Sequence, residues 1–108
     1  MVAIRMALSY FTDADILDSA EDDSASAEEK AVWLTAAAAL GEQAGHERLA
    51  RLIERRLADM GPEVRRAAVV SAAWLTWPEL VAKIADLQND EDQTVADYAR
   101  RITMAATK

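Results

Sequence analysis

The chain has 108 residues, a formal net charge of −7, three glycines, two prolines and no cysteine. That length supports one domain with one modest core. The missing cysteines exclude a disulfide framework and any thiolate metal site, and the acidity disfavours nucleic acid, because long-range repulsion opposes the encounter.

Alanine fills 24 positions, and alternating strand patterns are absent. The fold class is therefore all-α, because alanine is the strongest helix former and lets helices approach closely. Charge is unevenly placed. Residues 1–29 hold eight acids against Arg5 alone, whereas residues 30–108 hold eleven of each sign. One domain over residues 1–108 is expected, with a short acidic helical cap at 1–25 and a neutral body of helical hairpins at 26–108.

In chain order, residues 2–11 predict a short helix with Ile4, Ala7, Leu8 and Phe11 on one face. It is too short, and too interrupted by Arg5, for a signal peptide. Thr12 or Asp13 caps a second short helix, Ala14–Ala20, that buries Ile16 and Leu17. Ser26 with Glu29 three residues later has capping-box spacing and opens a helix over Ala27–Leu40, with Trp33, Ala36, Ala37 and Leu40 inward. Gly41 ends it. A helix over Gly45–Met60 follows, with Leu49, Leu52, Ile53, Leu57 and Met60 inward.

The stretch Pro62–Asp90 organises the rest. Pro62 suits the first position of a helix, where its missing N–H costs nothing. Val64, Ala67, Ala68, Ser71, Ala72 and Leu75 form one face. Val69, Val70, Ala73 and Trp74 make the other side apolar too, so this helix is expected to be covered on both sides. Thr76 with Glu79 gives another capping box, and Leu80, Val81, Ile84 and Leu87 stripe the next helix. Asp90 is the expected cap of the last helix, which buries Val95, Ala99, Ile102 and Ala106. About seven helices in antiparallel hairpins result. No run is long enough to span a bilayer, so a membrane partner is not expected, and a cytoplasmic location fits the absence of cysteine.

A shift of 31 residues places Leu49 on Leu80, Ile53 on Ile84, Asp59 on Asp90, Val64 on Val95 and Ala68 on Ala99. Such a period signals a helical repeat. On Asp59-Met-Gly-Pro-Glu-Val64-Arg65-Arg66-Ala67-Ala68 and Asp90-Glu-Asp-Gln-Thr-Val95-Ala-Asp-Tyr-Ala99, residues 27–106 resemble the HEAT-like repeats of the phycobilisome-lyase type. Ala96 departs from the pattern by replacing its arginine. The resemblance implies a short HEAT-like α-solenoid that offers a helical face to another protein. It also allows an accessory to an enzyme or a chromophore lyase. The first two helices match poorly and read as an end cap.

No catalytic or metal-binding constellation is recognisable. His46, the only histidine, lacks a neighbouring nucleophile or orienting group and reads as a solvated surface residue. Counted from Asp13 or from Asp90, the acids fail the calcium-loop spacing, which needs a glycine at the sixth position. No cofactor, metal or catalytic residue is therefore expected, and the chain reads as no enzyme. Asp13, Asp15, Asp22 and Asp23 form a candidate acidic surface for a basic protein, as in a small inhibitor or immunity-type protein. Arg48, Arg51 and Arg55 share a helix face; with Arg56, Arg65 and Arg66 they make a candidate ridge for nucleic acid, weakened by interleaved acids. Trp77, next to a proline in a turn, is the tryptophan expected to be exposed as a partner anchor, whereas Trp74 is expected in the core. Pairing with a second copy through the carboxyl-terminal helix stays open.

Overall fold

The computed structural model describes residues 12–106. The helix expected over residues 2–11 and the side chain of Ala106 lie outside the described residues. Among these, six α-helices follow one another: α1 (Asp13–Ala20), α2 (Ala27–Leu40), α3 (His46–Leu57), α4 (Pro62–Leu75), α5 (Pro78–Ala85) and α6 (Gln93–Ala106), with a single 3-10 turn at Gly41–Ala44.

The helix starts follow local chemistry. Thr12 makes a full capping box with Asp15, and Ser26 accepts from the Glu29 N–H. Pro62 and Pro78 open α4 and α5. Two expected caps move. Thr76 is the left-handed residue that ends α4, at φ 56°, and Trp77 takes the start of α5 in its place. Asp92, not Asp90, accepts from the Val95 N–H at the start of α6. The helix expected over Gly45–Met60 is shorter at both ends: Gly45, at φ 90°, bends the chain before it, and Met60 points into solvent.

Helix α4 packs on α2 along one side and on α6 along the other, while α3 covers α4 and α5, and α1 lies on α2. Two clamps set this order. Lys30 of α2 reaches Asp59, just before α4, at 3.3 Å. Arg65 of α4 grips Asp90, just before α6, through two bonds of 2.9 Å, and also donates to the Asp59 and Met60 carbonyls. Each aspartate also accepts from the backbone N–H two residues on, Gly61 and Asp92. The amino-terminal ends of α2, α4 and α6 therefore meet, and these three 14-residue helices run side by side in one direction.

The apolar residues matched by the 31-residue shift are all fully buried: Leu49 and Leu80, Ile53 and Ile84, Val64 and Val95, Ala68 and Ala99. Small side chains at 68 and 99 let α4 approach its neighbours. The ladder of clamps stops at α6, where Ala96 replaces the clamping arginine and is itself buried. Beside the second clamp, Arg66 binds Asp92 with bonds of 2.7 and 2.9 Å, and that guanidinium with the Val95 N–H holds the Asp92 carboxyl down to about 2. Burial pushes the Asp59 carboxyl up, but the Gly61 N–H and Lys30 outweigh it and leave the group below its ordinary value. Asp90→Ala removes the clamp and strands a largely buried guanidinium, so a loss of about 2 kcal/mol is expected in urea unfolding, against nearly none for Asp13→Ala on the exposed first turn of α1.

One expectation fails decisively. Helix α4, apolar nearly all round, is not covered all round: its Val70–Trp74 side lies open, with Val70 54% exposed and Trp74 75% exposed.

Candidate functional site

The acids and arginines expected at a functional surface gather on one face, and a second face carries an apolar cleft that the sequence did not place there. On the first, α1 is zipped to α3. Arg48 donates to Asp18 at 2.8 Å and to Glu21 at 2.6 and 3.2 Å, and this bond holds the Glu21 carboxyl below its ordinary value. Arg55 donates to the Glu21 carbonyl and lies 3.6 Å from Asp23. Arg56, 1% exposed, donates to the Ala20 carbonyl at 2.7 Å and to Asp23 at 2.8 Å. The carbonyls at the end of α1, which the helix itself leaves unpaired, are thus closed by two arginines of α3, and their charge suits the negative end of the helix dipole.

The candidate acids and the candidate arginines therefore neutralise each other. Asp23 is engaged by Arg55 and Arg56. Asp22 accepts from the N–H and hydroxyl of Ser24, which lower its pKa. Asp15 closes the Thr12 capping box, and Asp13 sits exposed in the same first turn. Arg51 pairs with Glu47 on its own helix at 3.0 Å. Arg48, Arg51 and Arg55 do line one shallow depression together, but Glu21 and Glu47 line it too. Arg65 and Arg66 turn away to the start of α6. No continuous basic ridge forms.

The two tryptophans exchange their expected roles. Trp77 is not an exposed anchor. It is 9% exposed and packs into the core, because at the start of α5 its ring folds under α3. His46 stacks on that ring with centroids 3.9 Å apart and hydrogen-bonds Glu79, with Glu42 at 3.6 Å on the other side. His46 is thus a clasp between α3 and α5 and more than a free surface residue. Glu79 first, then Glu42, raise its pKa above the ordinary histidine value. A raised folded value stabilises fully below the unfolded pKa, and the gain is lost as pH rises through the folded value. The melting temperature of the wild type is expected to fall between pH 6 and 8 by more than that of His46→Gln.

The second face is the open side of α4. Thr35, Ala38 and Ala39 of α2, Ala67, Val70 and Trp74 of α4, and Tyr98 of α6 line a half-open cleft of about 450 Å³. Three of its lining residues are alanines, and Trp74 and Tyr98 are its exposed aromatic rings. Of the polar groups along it, the Thr35 hydroxyl donates to the Ala31 carbonyl and Arg66 to Asp92, and the Ser71 and Tyr98 hydroxyls line it as well. Small-molecule sites fix their ligand with convergent polar groups, whereas here two hydroxyls stand among a mainly apolar lining. What it offers is apolar surface along helices about 20 Å long.

A sequence signal for this cleft exists at a second offset. Shifted by 35 residues, Glu28, Val32, Thr35 and Ala39 fall on Glu63, Ala67, Val70 and Trp74. Both sets have i, i+4, i+7, i+11 spacing, so each is one helix face. Among the described residues no group of acids and histidine could hold a metal ion, and no helix is long and apolar enough to cross a membrane. No protein-family model, no curated protein and no solved structure matches the chain.

Proposed function

We propose that this protein is a non-enzymatic protein-interaction module, built from HEAT-like hairpins, that docks an amphipathic helix of another protein in the cleft across α2, α4 and α6. The observation that carries this reading is the group of exposed side chains Val70, Trp74 and Tyr98 lining one cleft of an otherwise close-packed body. Monomers rarely leave such a group bare, and a groove between helices is filled by apolar side chains at helical spacing. Trp74 suits the role of central anchor, since tryptophan and tyrosine dominate interface energetics. An outside helix fits better than a small molecule because the cleft is half-open and lined mainly by apolar side chains of three neighbouring helices.

The inhibitor-like reading through Asp13, Asp15, Asp22 and Asp23 has less support, because Asp23 is paired and Asp22 is tied into its own turn. Nucleic-acid binding has less still, with Arg48, Arg51, Arg55, Arg65 and Arg66 all in ion pairs.

The test is selection of a displayed library of 14-residue helices, randomised on one face, against the wild type and against Trp74→Ala. Enrichment of helices with apolar residues at i, i+3 or i+4, and i+7 by the wild type alone is expected. Helices that bind both proteins equally would overturn the reading. So would a dimer in sedimentation that Trp74→Ala dissolves, since a second copy would then be the occupant.

A further inference from the structure

Glu28 and Glu63 occupy corresponding places. Each lies in the first turn of its helix, α2 or α4, and by helical spacing each shares a face with residues that line the cleft, Thr35 and Ala39 for Glu28 and Ala67, Val70 and Trp74 for Glu63. Because α2 and α4 run side by side in one direction, the two carboxylates stand at the same end of the cleft. Both are exposed, and neither forms an ion pair among the described residues. Their neighbours are different. Lys30 is held by Asp59, Arg65 by Asp90 and Arg66 by Asp92. With these cations largely neutralised, the excess charge at this end is negative and comes from Glu28, Glu29, Glu63 and Glu91, with Arg66 also close enough to Glu63 to feel its charge. The partial positive charge of the helix ends is smaller than these full charges and fades within one turn.

Building on the docking reading above, we propose that the cleft is specific for an amphipathic helix carrying a lysine or arginine at the end that lies over Glu28 and Glu63. The apolar lining of the cleft supplies the affinity. The carboxylate pair supplies direction, because a helix laid the other way would put its basic end beside the Trp74 end of the cleft and leave Glu28 and Glu63 without a partner. Charge complementarity at a rim sets orientation and encounter rate more than strength. The expected contribution is therefore modest and salt-dependent.

The same helix library, with its two terminal positions also randomised, separates this proposal from the docking reading. Against the wild type, lysine or arginine is expected at one end of the enriched helices and not the other. Against the double variant E28Q/E63Q, apolar helices should still enrich but without that bias. A selected basic-ended helix should bind the double variant about fivefold more weakly at low salt, with the difference vanishing near 1 M salt. Enrichment without a charge bias, or a bias that survives in E28Q/E63Q, overturns the specificity and leaves the docking site standing. No enrichment on the wild type overturns both. Both substitutions are on exposed first-turn positions, and an unchanged melting curve shows that the variant is folded.

Discussion

Trp77→Ala is expected to cost the fold about 3–4 kcal/mol, whereas Trp74→Ala leaves stability unchanged and weakens partner binding about thirtyfold. The first figure follows from burial. Trp77 is 9% exposed, joins the core cluster and carries the stacked His46 ring. Removing a buried tryptophan leaves a cavity that close-packed neighbours fill only in part, and such truncations cost roughly 3–5 kcal/mol. The second follows from exposure. Trp74 is 75% exposed and has little native packing to lose. A central interface tryptophan is worth about 2 kcal/mol or more, and 2 kcal/mol is close to thirtyfold. Urea unfolding of both variants, with titration of a helix selected on the wild type, reads the two effects. Equal destabilisation by both would refute the assignment of core and surface.

Arg56→Ala is expected to cost about 3 kcal/mol. The guanidinium is buried and ties α1 to α3 through the Ala20 carbonyl and Asp23. Truncation leaves that carbonyl unpaired inside the protein and a cavity beneath it, the combination that makes broken buried pairs expensive. Arg56→Lys is not conservative, since one ammonium cannot span the directions that the planar fork reaches. Calorimetry of Arg56→Ala, Arg56→Lys and Asp23→Ala tests this. The aspartate change should cost less, because Asp23 is mostly exposed and Arg56 keeps the Ala20 carbonyl.

The all-α class, three of the six helix starts and the buried stripe of each hairpin were legible in the sequence, because they rest on local chemistry. Capping by Thr12 and Ser26, proline at 62 and the period of Leu49, Ile53, Val64 and Ala68 need no knowledge of what lies across the core. The candidate site was not legible, because exposure is a relation between helices. Apolar residues all round Pro62–Leu75 predict cover on every side, and nothing within that helix says that the Val70–Trp74 side is left open. The 35-residue match of Glu28–Ala39 with Glu63–Trp74 is the signal that pairs the two faces, but it has meaning only once α2 and α4 are known to lie side by side. Trp77 misleads for a similar reason. A residue before proline in a turn reads as exposed, yet α5 starts so abruptly that its ring folds under α3. The charges mislead differently. Acids at 13–23 and arginines at 48–56 look like two separate surfaces until the chain folds one onto the other.

The most direct test of the central claim is a photo-crosslinking amino acid placed at position 70, inside the cleft, and separately at position 15, on the acidic end, in the cells that make this protein. Val70 and Asp15 are both exposed; replacing Asp15 gives up its half of the Thr12 capping box, a loss of about 1 kcal/mol, so a melting curve of each variant first shows that it is folded. The account predicts a crosslink from position 70 to one segment of a partner, with apolar residues at helical spacing and a basic residue at one end, and none to that segment from position 15. A partner captured from position 15 while position 70 stays unreacted would contradict it and return the binding surface to the acidic end.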